Sequence, residues 1–526
     1  MRKNRDIEQD RCYHLISRLA HRAFFLDDEE KDRAVALMRR VEGFCNYLMN
    51  KHIITICLAA ASVLASPVAA LSDEAGTASR TGDPGLGEAA RRHLERAERW
   101  YLPSRLGVFY HWGLFTGGGL HTVDKKRYKP LTYPTPEAFE AAAGDPARVA
   151  ENFAESALAF GAKYVILTAW HTCEAHMAIY PTAVPDFRNK TKGDYLGAFL
   201  DAAHKAGLRA MVYFPSDSHN WNVDPENPTI EPKTGKRGSA YFVGFIGRVL
   251  DELKERYGER IDGFWIDGGL HGKCSEIPPK IRKLWPDALI VGNCVTDFRV
   301  DVDVSTTEIC PGKAATPAYC RPDGFRRVSP WGGALPQRDL NEDNLLVGYW
   351  WYTGELDDRN ELVRDPRLLV KEIVSSLGQR GRWNCTIGVG PTIDGTLPAF
   401  TRSMTENLRA FLKWASPAIY GTKGPAGSFF DPGYAGAANG PTSAAFYSVT
   451  QSLENPNVFY AIVTEARASA KKNKSVFQTN GRIPRRVSDL RTGREYTFSA
   501  PYGTVVENID WSDIETFGAT VLKFEF

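Results

Sequence analysis

The sequence holds nine cysteines but no CxxC pair and no Cys/His cluster of zinc-finger type. That removes the usual structural-zinc and thioredoxin-like readings. Cys12, Cys45 and Cys57 precede residue 71. Cys173, Cys274, Cys294, Cys310, Cys320 and Cys385 leave room for one or two disulfides without fixing a pairing. Charge of one sign is lacking too: 65 Lys and Arg face 63 Asp and Glu, a formal net charge of +2. A nucleic-acid or acidic-membrane partner calls for a basic excess or patch, so neither is expected. No GxGxxG follows a strand-like run; "GLFTGGG" has the glycines without the spacing and is weak evidence for phosphate binding. The apolar run Ile53–Leu64 is too short to cross a bilayer comfortably.

What is present is the composition of an ordinary soluble globular protein, 43% hydrophobic and 24% charged. The 526 residues suffice for a large core and two domains. Twelve Trp and 21 Tyr are a generous aromatic supply. Exposed aromatics suit sugar stacking, although most belong to the core.

Residues 49–70, "MNKHIITICLAAASVLASPVAA", have the order of a signal peptide: Lys51, an apolar stretch, then small residues at Val68 and Ala70. Leu71 is the expected mature N-terminus, and a secreted or periplasmic protein is implied. Residues 1–48 differ in character. Their "ISR" and "EEKDRAVALMRRVE" resemble the opening segment of small transposase-like proteins. We read them as extraneous to the fold, with Met49 as the working start; a real helical extension is the alternative. Residues 71–98 form a polar, Gly/Ala-rich lead-in.

From Leu106 short apolar runs alternate with helical patterns. Strands are expected at 106–112, 164–168, 208–214, 261–267, 288–293, 303–308, 345–351 and 384–390. Helices are expected at Pro146–Phe160, Tyr195–Gly207, Phe242–Tyr257 and Arg367–Leu377, and a last amphipathic one begins near Thr401. Such alternation implies a parallel sheet, and eight strands suit an α/β (β/α)8 TIM-like barrel over 99–421, with a doubly wound sheet as runner-up. From residue 422 short β-type runs separated by Gly, Pro and Asn point to a small C-terminal β-sandwich, 422–526.

A barrel of this kind gathers function at the C-terminal ends of its strands. Those ends carry His111 and Trp112, Trp170 and His171, Tyr213, Asp267, Glu308, and Tyr349 to Tyr352. Carboxylates, histidines and aromatics at one mouth are equipment for glycoside cleavage. Asp267 closes the apolar run "IDGFWID" and is followed by Gly268 and Gly269. A buried carboxylate there is costly unless paired or hydrogen-bonded, and the glycines let the backbone turn away without crowding a ligand.

Four stretches carry a resemblance: "RLGVFYHWGLFTGGG", "GAKYVILTAWHTCEAHMAIYP", "IDGFWIDGG" and "GQRGRWNCTIGVGPTIDGTLP", with "LKWASPAIYGTKG" closing the barrel. Together they resemble family 29 of the glycoside hydrolases, the α-L-fucosidases, over roughly residues 100–425. The resemblance implies a retaining exo-glycosidase acting on fucosylated glycans, with Asp267 as nucleophile. Glu308 is the chosen acid/base, with Asp297, Glu342 and Glu355 as competitors. It implies His111 and His171 as ligands of sugar hydroxyls, with Trp112, Tyr213, Trp265 and Trp351 as further sugar-binding positions.

The sequence departs from the family where Lys-His-His is expected: Trp170-His171-Thr172 stands there, and His176 is the expected substitute for the lost histidine. "HTVDKKRYKP" replaces the family's Glu-Trp-Tyr, with Tyr128 only loosely equivalent. These changes bear on sugar specificity, and leave an α-L-galactosidase or a non-catalytic carbohydrate-binding relative as alternatives. His171, Glu174 and His176 lack the spacing of HExxH and no third ligand set stands out, so neither metal nor cofactor is expected. An oligomer is compatible with the sequence.

Overall fold

The computed structural model describes residues 84–526 apart from internal segments, the longest of which are 217–239, 309–339, 353–364 and 431–444. Eight parallel strands close into a barrel: β1 (Leu106–Tyr110), β2 (Tyr164–Thr168), β3 (Arg209–Pro215), β4 (Gly263–Asp267), β5 (Leu289–Asn293), β6 (Val304–Glu308), β7 (Leu340–Val347) and β8 (Arg382–Val389). Closure is made by β1, which pairs with β8 on one side and β2 on the other, Val108 lying opposite Ile387 and Val165.

The helices between strands include α2 (Pro146–Ala159), α3 (Tyr195–Lys205), α4 (Ala240–Tyr257), α5 (Ile277–Leu284), α6 (Arg367–Leu377) and α7 (Arg402–Ile419). Their starts follow local chemistry. Asp145 and Asp194 accept hydrogen bonds from the Ala147 and Gly197 amides at 3.3 and 2.8 Å, and Pro146 opens α2 with a φ already suited to a helix.

Each strand alternates between two cores. Leu106, Val108 and Tyr110 face outward into the layer under the helices, as do Val165, Leu167, Val212, Phe264, Ile266 and Ile290. Phe109, Tyr164, Ile166, Met211, Tyr213, Trp265, Leu289, Val291 and Val304 face inward and fill the barrel. That period of two decides which strand-end side chains reach the mouth. The filling is tight. A Cβ on Gly107 would fall 2.3 Å from the Tyr164 ring, and one on Gly388 would fall 2.2 Å from that of Trp351. The two glycines are the space those rings occupy.

Two segments differ from expectation. The polar lead-in holds helix α1 (Pro84–Arg99). Arg96 pairs with Asp303 at 2.8 Å and His93 with Asp301 at 2.8 Å, tying α1 to the segment before β6. β7 begins at Leu340, five residues before the apolar run that suggested it, because its polar start includes Glu342, which is fully buried inside the barrel.

After α7 the chain builds antiparallel sheets of five and three strands around a second core of Tyr447, Val449, Phe459, Phe477, Val506 and Phe524. The strand Val458–Ala466 is buried on both faces as far as Thr464. Phe459, Ala461 and Val463 point into that core, while Val458, Tyr460 and Ile462 join the core of the barrel helices. Hydrogen bonds from Thr450 Oγ1 to the Ala418 carbonyl (2.7 Å) and from the Val449 amide to the Gly378 carbonyl (3.5 Å) hold the five-stranded sheet to the ends of α7 and α6.

Cys274 and Cys385 are fully buried, and Cys274 Sγ lies 3.5 Å from the Ser216 carbonyl. No helix among the described residues is long and apolar enough to cross a membrane.

Candidate active site

Asp267 is the last residue of β4, and it follows Trp265 by two, so it shares that residue's inward face. Donors converge on its carboxylate. Tyr213 Oη donates to Oδ2 at 2.9 Å, Asn293 Nδ2 donates to Oδ1 at 2.8 Å, and the Gly268 amide donates to Oδ1 at 2.7 Å. Bonds to a charged acceptor are stronger than neutral ones and fix both oxygens. The backbone then turns sharply: Gly268, Gly269 and Leu270 have φ of 91°, 77° and 52°. At the two glycines this left-handed geometry carries no steric cost. The turn is pinned by the Gly269 amide, which donates to the Asn293 carbonyl at 3.1 Å.

Around the carboxylate stand aromatic rings. His111 follows Phe109 on the inward face and is 4% exposed. Its ring lies 4.7 Å from that of Trp351, 5.5 Å from Tyr213 and 5.7 Å from His171, centre to centre. His171 stacks on Tyr213 with 13° between planes. The two histidines, Tyr213, Trp351 and Tyr352 therefore form one cluster at the C-terminal mouth, beside Asp267.

The expected residues do not all reach the mouth. Trp112 follows His111 and so faces the other way. It is fully buried among Phe139, Phe153 and Tyr195 beneath the helices, its Nε1 donating to the Ile393 carbonyl at 3.1 Å. This corrects its expected place among the sugar-binding residues, since none of its surface is left for a sugar. Trp265 lies one inward layer below Asp267 and is 1% exposed. Its Nε1 is taken up by Glu342 at 3.0 Å, so its N–H has no hydrogen bond to offer a sugar hydroxyl. Glu308 closes β6 at the same end of the barrel as Asp267. His176, Asp297 and Glu355 lie outside the described residues.

Glu342 belongs elsewhere. It accepts from Tyr101 Oη at 2.7 Å and Tyr164 Oη at 3.1 Å as well as from Trp265. Tyr101 sits in the short helix Tyr101–Ser104 that precedes β1, so Glu342 lies toward the N-terminal end, beneath Trp265. Burial pushes its carboxyl above the ordinary glutamate range, against the pull of those donors.

Asn293 was not singled out from the sequence, though a polar residue closing an apolar strand is the same signal that exposed Asp267. Among the described residues no group of three His, Cys, Asp or Glu side chains is arranged to hold a metal.

The alpha-L-fucosidase family model matches residues 87–416. Among solved structures, the chain is similar to alpha-L-fucosidase isoenzyme 1 from Paenibacillus thiaminolyticus, at 18% identity and a TM-score of 0.56 over 82% of this chain and 99% of that one. It is similar to the Thermotoga maritima alpha-fucosidase in complex with fucose, at 19% identity and a TM-score of 0.56 over 81% and 96%. It is also similar to a Bacteroides thetaiotaomicron alpha-L-fucosidase trapped as a covalent intermediate, at 16% identity and a TM-score of 0.54 over 83% and 95%. At these identities the structures speak for the fold, which is that of the barrel and sheets described above. With the family model covering most of the barrel, the chain belongs to the alpha-L-fucosidase family.

Proposed function

We propose that the protein is a retaining exo-α-L-fucosidase that removes fucose from glycans, with Asp267 as nucleophile and Glu308 as general acid and base. The observation that carries the reading is the Asp267 carboxylate, held at the mouth by Tyr213, Asn293 and the Gly268 amide. A carboxylate so oriented suits attack on an anomeric carbon. The covalent intermediate trapped in the Bacteroides thetaiotaomicron enzyme supports the same chemistry.

The two steps make opposite demands. In the first, Asp267 attacks as the glycosidic bond breaks, and Glu308 protonates the leaving oxygen. In the second, Glu308 deprotonates a water that attacks the same carbon, and Asp267 departs as a carboxylate. Two inversions give net retention, for which the carboxyl groups stand about 5–5.5 Å apart. The donors around Asp267 matter most in the second step, where negative charge returns to its oxygens.

Below the carboxylate the rings of Phe109, Tyr213 and Trp265 meet at 5.0–5.4 Å between centres. His111 and His171 stand ready to bond the ring hydroxyls, with Trp351 beside them and His176 as the substitute for the family's missing histidine. The leader-like run at 49–70 would send the enzyme to the secreted or periplasmic side.

The test is release of an aryl leaving group from an aryl α-L-fucoside by the purified protein and by Asp267→Asn. Turnover by the wild type and none by a folded variant is expected. Equal turnover by both would remove Asp267 from the chemistry, and no turnover by either would overturn the assignment.

A further inference from the structure

We infer that Glu342 is a positioning residue, which aims the Tyr213 hydroxyl at Asp267 through the Trp265 ring. The inference rests on the assignment of Asp267 as nucleophile.

The observations form one continuous column along the barrel axis. At its base Glu342 accepts from Tyr101, Tyr164 and Trp265. Tyr164 is itself fixed by Thr386 at 3.0 Å and by the space at Gly107. The Glu342 contact sets the rotation of the Trp265 indole, whose only polar atom is the Nε1 it occupies. The indole lies 5.4 Å from the Tyr213 ring with 30° between planes, and 5.0 Å from Phe109. Phe109 packs on Tyr213 at 5.4 Å from the other side. Tyr213 ends the column with its hydroxyl on Asp267 Oδ2.

A carboxylate is an expensive way to fill a barrel. A leucine would bury as well without a desolvation cost. The donors that converge on Glu342, Tyr101, Tyr164, Trp265 and Thr386, would lose that acceptor to the leucine, and the indole would lose the contact that fixes its rotation. The gain from the carboxyl group is a single defined orientation in the layer above. Glu342 touches no reacting atom, and the inferred route from it to the chemistry runs through Trp265 and Tyr213.

That route yields a double-mutant test in the full-length protein with an aryl α-L-fucoside. Tyr213→Phe removes the hydroxyl that stabilises Asp267 as it departs, and kcat is expected to fall by roughly 4- to 13-fold, the worth of a partly charged hydrogen bond. Glu342→Leu is expected to lower kcat by no more than that, and by at least about twofold. In the Tyr213→Phe background the same change is expected to have no further effect on kcat. Glu342→Gln keeps an acceptor for the indole N–H and is expected to restore kcat to near wild type. All assays are run well below each variant's unfolding midpoint.

An equal loss of kcat from Glu342→Leu in both backgrounds would show that it acts by another route and overturn the inference. So would an unchanged kcat with only a lower unfolding midpoint. If Glu342→Leu does not fold, Glu342→Met, which also lacks an acceptor, takes its place in the same two backgrounds: a kcat loss confined to the background that keeps Tyr213 sustains the inference, and an equal loss in both, or no loss in either, overturns it. A wild type without turnover overturns the fucosidase reading, and this inference with it.

Discussion

Replacing Asn293 with Ala removes one donor from Asp267. The Asn293 side chain contributes a 2.8 Å bond to Oδ1, while its backbone carbonyl still receives the Gly269 amide. A hydrogen bond to a charged group contributes about 1.5–3 kcal/mol. The bond is at full strength when Asp267 is a free carboxylate and near zero when Asp267 is esterified to the sugar. In either transition state the oxygens carry about half the charge, so the bond is worth roughly 0.75–1.5 kcal/mol there. Its loss therefore slows departure of Asp267 from the sugar by roughly 4- to 13-fold. The same loss destabilises the free carboxylate more than the first transition state, so formation of the glycosyl-enzyme is not slowed. The intermediate should accumulate. With a good aryl leaving group, Asn293→Ala is expected to show a burst of product, a kcat reduced 4- to 13-fold and a KM reduced with it. The assay is rapid-mixing absorbance of the released phenol. A fall in kcat with unchanged KM and no burst would refute the argument, because the donor would then be serving the first step.

Gly388→Ala should drive the Trp351 indole from its place, since the added carbon falls 2.2 Å from the ring. Overpacking of this kind costs about 1–3 kcal/mol, to be seen in chemical denaturation, and KM should rise because Trp351 stands at the mouth. At the other end of the molecule, the Asp301 carboxyl is lowered from 3.8 to about 2, chiefly by its hydrogen bond from His93 against the opposing effect of burial, with Arg282 and Arg96 adding to the shift. A depressed carboxyl stabilises the fold above its unfolded value and loses that contribution as pH falls through the folded one. The stability advantage of wild type over Asp301→Asn should therefore be full at pH 5 and fade between pH 4 and pH 2. An advantage constant across that window, measured by thermal unfolding at each pH, would show that α1 is held by something else.

The strands were legible because parallel strands buried on both faces are written as apolar runs. The same fact hides which face is which. His111 and Trp112 are neighbours in one run, and only the period of two, once the barrel closes, sends the histidine to the mouth and the tryptophan under the helices. β7 began five residues early for the same reason turned around: Leu340–Asn344 reads as polar, yet Glu342 faces a barrel interior that supplies donors. The lead-in was hard to read as a helix because its apolar stripe is thin and mostly small, with Leu94 and Ala97 the residues that pack into the barrel core. α1 is held by ion pairs to Asp301 and Asp303, some 200 positions along the chain, which no local pattern shows. The place of Asp267 at a strand end was legible because an apolar run there stops at a carboxylate and two glycines. Asn293 ends its strand in the same way but carries no charge, and so drew no notice.

From Val458 to Thr464 the strand Val458–Ala466 has no solvent face, and that shapes what the C-terminal sheets can be. A module with a wet surface toward its neighbour can be exchanged, lost or moved along a gene with little consequence. Here the outer wall of the barrel helices is the inner wall of the next domain, and Val458, Tyr460 and Ile462 would meet water in any shortened protein. Mutational drift on either side is therefore checked by the other, so the two parts are expected to be inherited, and to melt, as a pair.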